Sequence, residues 1–223
     1  YQGRRVVRFS SGRLIQFAKA PVMGEVKTRL ALSISDQAAL DLHCRLVQHT
    51  FTQLTSLGLA PVELYISKPS PYFEELTLGA ACSINLQCGA DLGARMFSAV
   101  TDALREAEYA LIVGSDCPVL DAEYLTDALA RLQAGMPVVI GPADDGGYVL
   151  IGTREPFARV FEDIDWGGSH VMAQTRQRCK ALSLEWSELP TRWDVDRVDD
   201  LQQLRAIVTQ SPDDYPAFRS FRF

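Results

Sequence analysis

What this sequence lacks narrows it first. Its five cysteines, Cys44, Cys82, Cys88, Cys117 and Cys179, are odd in number and follow no C-x-x-C spacing. Neither a disulfide framework nor a zinc site is indicated, and free thiols in a reducing compartment fit best. Positive charge is not in excess: the formal net charge is −6 over 223 residues, which argues against a general nucleic-acid-binding surface. Long apolar runs are missing too. The first, Leu14 to Ala18, is too short for a signal-peptide core or a membrane span. The expectation is a cytoplasmic protein without nucleic-acid or membrane partners.

Several catalytic signatures are also absent. There is no G-x-S-x-G elbow and no Ser-His-Asp arrangement, which disfavours a serine hydrolase. Cys117 stands beside Asp116, whose charge would raise the thiol pKa, so it reads as a packing residue rather than a nucleophile. His43 and His49 lie six positions apart on an expected helix, about 240° round from one another, and so do not share a face. His170 follows W-G-G-S and could line a site. Neither the phosphate-loop pattern G-x-x-x-x-G-K-[ST] nor the dinucleotide fingerprint G-x-G-x-x-G occurs.

What is present reads as one α/β domain. Hydrophobic residues make up 47% and charged residues 22% of the chain, an ordinary globular balance with no break in composition. Strands are expected at 14–18, 62–66, 83–87, 109–113, 137–140, 148–151 and 182–185. Helices are expected at 36–57, 88–107, 121–134, 155–161, 169–179 and from the 193–201 segment to about 209, with Gly58 ending the first and Ser169 capping the fifth. This alternation predicts a mostly parallel central sheet with helices on both faces. The domain spans 12–210, with irregular termini at 1–11 and 211–223.

Tyr109 to Leu120, Y-A-L-I-V-G-S-D-C-P-V-L, is the segment around which the rest is arranged. An apolar strand runs into Gly114, Ser115 and Asp116, and Pro118 disfavours a helical backbone at Cys117. A carboxylate just past a buried strand sits where open α/β sheets place their ligands. Alone it is as consistent with a turn or helix cap. Its companions are Asp144, Asp145, Asp165, Asp194 and Asp196, all at or near expected strand ends. Mg²⁺ takes hard oxygen ligands and usually needs only one or two carboxylates plus substrate phosphates and water. The loop after the first strand, K-A-P-V-M-G-E-V-K-T-R-L, carries Lys19, Lys27 and Arg29. Cations and backbone amides in such a loop can hold a di- or triphosphate.

Six segments then occur in a telling order: F-A-K-A-P-V-M-G-E-V-K-T-R-L, D-L-G-A-R-M, G-S-D-C-P-V-L, D-D-G-G-Y-V-L-I-G, D-W-G-G-S and W-D-V-D-R-V-D-D-L. Together, over roughly 14–207, they resemble the radical-SAM/selenodomain-associated transferases within the GT-A-fold nucleotide-diphospho-sugar transferases. They are also similar to the guanylyltransferases that activate phospholactate or the molybdenum cofactor. The resemblance implies a single-domain, Rossmann-like GT-A fold and a Mg²⁺- or Mn²⁺-dependent transferase. It would pass a glycosyl group from a nucleotide-sugar donor to a small-molecule acceptor. Alternatives are a nucleotidyltransferase releasing pyrophosphate and a non-catalytic nucleotide-binding protein.

On the same basis Lys19, Lys27, Arg29, Asp91, Gly93 and Arg95 would meet the nucleotide and its phosphates. Asp116 and Asp196 would hold the metal, Asp196 matching the family pattern better than Asp194. Asp144, Gly146, Gly147, Tyr148 and Trp166 would face the acceptor, with Asp145 or Asp165 as a base. Met23 stands where the family usually has proline and Gly168 where it usually has threonine. The central S-D-C replaces the D-x-D of many sugar transferases, which is closer to the nucleotidyltransferases. Pairing with a second copy of the chain is left open.

Overall fold

The fold was described from a computed structural model, which covers residues 8–223; the first part of the N-terminal segment expected to be irregular lies outside these residues. Seven strands form one sheet: β1 (Gly12–Ala18), β2 (Val62–Ile66), β3 (Cys82–Leu86), β4 (Tyr109–Gly114), β5 (Val138–Pro142), β6 (Tyr148–Thr153) and β7 (Trp186–Glu188). Their spatial order is β3-β2-β1-β4-β6-β5-β7. The first four are parallel, Phe17 of β1 lying opposite Gly114 of β4 and Tyr65 of β2. The chain winds outward from β1 to β2 and β3, then returns to place β4 on the other flank of β1. The carboxyl ends of β1 and β4 therefore border the crevice where the winding direction reverses.

β6 runs antiparallel to both β4 and β5. The reason is the connection: only 143–147 separate β5 from β6, which suffices for a hairpin, whereas a parallel return needs a dozen residues or more. β7 pairs parallel to β5 and lies a few residues later than the sequence suggests.

The helices are α1 (Thr28–Ile34), α2 (Asp36–Leu57), α3 (Pro71–Leu76), α4 (Leu92–Ala103), α5 (Ala122–Gln133), α6 (Ala158–Phe161), α7 (Val171–Ala181) and α8 (Val198–Gln210). Side-chain oxygens of Ser35, Asp91 and Asp121 accept the backbone N–H groups that open α2, α4 and α5. Gly58 ends α2 in a left-handed conformation, φ 60°. Two short helices, α1 and α3, fall where loops are expected; α3 carries Pro71 at its start, where a missing N–H costs nothing. The expected cap of α7 is different: His170 rather than Ser169 precedes it, with no side-chain cap bond.

One apolar cluster joins Leu14, Leu111 and Val113 of the sheet to Leu125 and Leu129 of α5. A second joins Ile15, Ile112 and Ile151 to Met96 and Val100 of α4. The sheet is thus covered on both faces, as its continuous apolar strands require. The segment after Gln210 lacks long elements, as expected, yet it is packed. Phe218, in a 3₁₀ turn at Pro216–Phe218, and Phe221 join Leu42 and Leu46 of α2 in a further cluster.

Candidate active site

The site grows from the ends of β1 and β4. Gln16 is fully buried on β1 and its Nε2 donates to Ser115 Oγ at 2.9 Å and to Val47 O of α2 at 3.0 Å. Ser115 Oγ donates in turn to Phe17 O at 2.8 Å. These bonds fasten the end of β4 to β1, and Asp116 is the next residue along.

Two distant loops then close around Asp116. The Val195 N–H donates to the Asp116 carbonyl at 2.9 Å, which brings the C-terminal W-D-V-D segment beside it. Lys27 Nζ lies 2.7 Å from Asp116 Oδ1 and donates to Val195 O at 2.6 Å. Lys27 is a non-glycine residue in the left-handed region, φ 47°, directly before α1. That conformation costs energy in isolation, and here it turns the side chain into the site. Two residues on, Arg29 pairs with the Asp196 carboxylate. The basic loop and the acidic segment therefore meet, each cation facing one carboxylate.

Electrostatics separates the aspartates. Burial alone would raise the Asp116 carboxyl, but the Lys27 ammonium, with His43 and Lys19 behind it, holds it below the usual range. Asp194 is pushed up to about 7 by burial and by the charges of Asp145 and Asp116, which Lys27 only partly offsets. Asp194 makes no ion pair among the described residues, unlike Asp196. A group of carboxylates that resists full ionisation is a hard-oxygen set that a divalent cation would relieve. Among the described residues no three His, Cys, Asp or Glu side chains form a ready-made metal cage. Such a set fits Mg²⁺ or Mn²⁺ completed by phosphate oxygens and water.

Two cavities open from this junction. One, about 560 Å³, is lined by Lys19, His43, Ser67, Lys68, Gln87, Leu92, Arg95 and Asp116. The other, about 460 Å³, is acidic: Asp144, Asp145, Asp194, Asp196 and Asp200 line it, with Arg29, Arg197 and the 167–169 turn. The acidic wall is built from the β5–β6 hairpin. The Asp144 N–H donates to Arg192 O at 3.0 Å, bringing the hairpin to the Asp194 segment. Gly146, at φ +91°, abuts the 165–169 loop so closely that a Cβ would lie 2.0 Å from Ser169 O. Only glycine fits there.

Placement of the expected residues is uneven. Lys19 and Arg95 line the first cavity, while Lys27 and Arg29 are engaged by carboxylates at the junction. Asp91 caps α4 through a bond to the Ala94 N–H at 2.8 Å. Gly93 is needed for packing, since a Cβ would lie 2.3 Å from Phe161 O. Asp145 lines the acidic cavity, its Oδ1 accepting from the Gly147 N–H at 2.8 Å. Asp165 is exposed on the turn before α7, and its backbone N–H bonds Gln174 Oε1. Tyr148 and Trp166 pack edge to face, ring centroids 6.2 Å apart, among the apolar residues around α4. They join neither cavity lining.

His43 and His49, set aside in the sequence because they do not share a helix face, each reach a loop of the site. Both are buried, and the Nε2 of each faces a carbonyl in a site loop: Lys19 O at 2.9 Å and Pro118 O at 3.0 Å. Burial lowers the pKa of each. The signal available in the sequence was their position on the helix preceding the second strand. What was missing was that α2 is enclosed on more than one side.

Comparison with known proteins accords with this geometry. A provisionally named nucleotide-diphospho-sugar transferase from Desulfovibrio desulfuricans G20 superposes with a TM-score of 0.84 at 33% identity, over 94% of each chain. A cytidylyltransferase from Leptospira borgpetersenii superposes with a TM-score of 0.58 at 12% identity, over 92% of this chain and 97% of that one. Glucosyl-3-phosphoglycerate synthase from Mycobacterium tuberculosis, solved with Mn²⁺ and UDP, gives 0.53 at 9% identity, over 92% and 78%. The last two share the fold, at identities that speak to fold alone. No curated protein sequence matches the chain. A family model described as an uncharacterized protein conserved in bacteria, DUF2064, matches residues 50–168. With the matched stretch running from α2 through the Asp116 strand to the 165–168 turn, the chain belongs to the DUF2064 family, within the Rossmann-like GT-A and nucleotidyltransferase group of folds.

Proposed function

We propose that this protein is a metal-dependent transferase that takes a nucleotide-sugar donor and passes its glycosyl group to a small acceptor. The observation that carries this reading is the meeting of the Lys27 and Arg29 cations with the Asp116, Asp194 and Asp196 carboxylates at the ends of β1 and β4. The diphosphate of a nucleotide would draw Lys27 and Arg29 from their carboxylates. Those carboxylates, Asp116 with Asp194 or Asp196, would hold Mg²⁺ or Mn²⁺. Asp196 matches the family pattern better, whereas Asp194 makes no ion pair among the described residues. Bound there, the metal supplies charge neutralisation for the diphosphate.

The remaining roles fall to the two cavities. The nucleoside lies in the cavity of Lys19, Gln87, Leu92 and Arg95, and the acceptor in the acidic one. The acceptor oxygen attacks the anomeric carbon, the bond from that carbon to the diphosphate breaks, and the acceptor proton passes to a carboxylate. Asp145 lines the acceptor cavity and, with Oδ1 held by Gly147, has Oδ2 to receive the proton. Asp165, outside that cavity, is the second candidate.

The single carboxylate in S-D-C favours a second reading, nucleotidyl transfer, in which the acceptor attacks the α-phosphorus and pyrophosphate leaves. Incubation with nucleotide sugars or nucleoside triphosphates, Mg²⁺ and a panel of small hydroxylated acceptors separates the two. Free nucleoside diphosphate supports glycosyl transfer and pyrophosphate supports nucleotidyl transfer. Metal-independent nucleotide binding indifferent to Asp116→Ala would contradict both and leave a non-catalytic nucleotide-binding protein.

A further inference from the structure

We propose that His43 and His49 are positioning residues, through which α2 fixes the two ligand-bearing loops of the site independently. His43 holds the basic loop at Lys19, and His49 holds the Asp116 loop at Pro118. The inference rests on the nucleotide-transferase reading for its purpose, but its geometry stands without it.

A carbonyl oxygen can only accept, so Nε2 carries the proton in both rings. The bond from His43 to Lys19 O spans 2.9 Å, and that from His49 to Pro118 O spans 3.0 Å. With relative exposures of 4% and 3%, both rings are largely shielded from bulk water. Losing either would leave a loop carbonyl without its partner beneath the site. The two residues serve different loops because about 240° of helix separates them. His43 lines the cavity of Lys19 and Asp116. His49 faces the other way and stacks on Tyr215, ring centroids 5.1 Å apart, with Phe218 at 5.7 Å. The C-terminal segment thus holds the His49 ring against the loop. Gln16 bonds Val47 O between them, so the same helix anchors the strand ends as well.

Hydrogen–deuterium exchange on the full chain tests this without any ligand. In His43→Leu, amides in 19–27 should exchange about tenfold faster, a change expected from losing one ordinary hydrogen bond, while 117–120 keep their rates. His49→Leu should show the reverse. Gln places an amide nitrogen near the Nε2 position, so His43→Gln and His49→Gln should restore wild-type exchange. His43→Asn and His49→Asn, one bond shorter, should not, and they provide the test should the Leu variants fail to fold. Unchanged loops, or equal acceleration in both loops and in the 109–114 strand, would overturn the proposal.

A second arm reads the purpose. With GTP, CTP, UTP or UDP-glucose plus Mn²⁺, the melting-temperature rise of the wild type should shrink in both Leu variants and return in both Gln variants. Full retention of that rise in the Leu variants would contradict a positioning role for ligand binding. If none of the four raises the wild-type melting temperature, the nucleotide reading fails, while the exchange experiment still decides the loop anchors.

Discussion

Lys27 lies in a place most lysines avoid. Its side chain is 5% exposed, between Asp116 Oδ1 and Val195 O. Removing that ammonium leaves the carboxylate and the carbonyl without their cation, though Asp116 remains 44% exposed and recovers part of the loss from water. Lys27→Met should therefore lower unfolding stability by about 1–3 kcal/mol, read from urea denaturation. It should also abolish nucleotide binding by the folded fraction. The charge of Lys27 was legible in the sequence, but its geometry was not. A left-handed backbone at a lysine has no residue signature, and its partner carbonyl lies 168 positions away. A similar distance hides the pairing of Arg29 with Asp196, 167 positions away. Gly93 shows the limit from the other side. The family resemblance implies that it meets the nucleotide, whereas Gly93→Ala should destabilise the fold by roughly 1–3 kcal/mol through overpacking against Phe161 O.

Among the elements, α2 does most to join the parts. It packs against the sheet, and its Leu42 and Leu46 meet Phe218 and Phe221 of the C-terminal segment. Phe218 is 1% exposed, so Phe218→Ala should cost about 3–5 kcal/mol in chemical denaturation. Periodicity located this helix, with Ser35 or Asp36 expected at its start and Gly58 at its end. It could not show that the aromatic tail covers a second face, because nothing local orders a segment that has no period. The buried histidines on α2 also set a pH dependence. Burial lowers both pKa values below the ordinary value near 6.5, so the folded state resists a proton that the unfolded chain accepts. The histidine contribution to stability should be full above about pH 6.5 and fall as the pH drops below it, while Asp194, raised to about 7, contributes in the opposite direction over the same range. Comparing urea midpoints of wild type and His49→Gln at pH 7.5 and 5.5 isolates the histidine part: relative to the wild type, the variant should lose less stability on going to pH 5.5. The antiparallel β6 followed from a short connection that the strand pattern contained, whereas the alternation of strands and helices by itself pointed to a parallel sheet.

At the scale of the whole molecule, an acidic protein of net charge −6 gathers three cations of one loop beside its acidic core site. The order β3-β2-β1-β4 places that loop and Asp116 on neighbouring strand ends, so the fold itself creates the crevice. This much was legible, since alternating apolar strands and a strand-end aspartate specify it. The acidic cavity was less so, because Tyr148 and Trp166 turn into packing while Asp144 and Asp145 line it. In the DUF2064 family this chain offers a direct question: whether its carboxylates and cations part to admit a metal and a nucleotide together. Mn²⁺ titration followed by electron paramagnetic resonance, with and without UDP or GTP, answers it most directly. The wild type should bind Mn²⁺ at least tenfold more tightly with nucleotide present, roughly 1.4 kcal/mol of coupling, and Asp116→Asn should lose that coupling. Equal Mn²⁺ affinity with and without nucleotide, or coupling that survives Asp116→Asn, would contradict it.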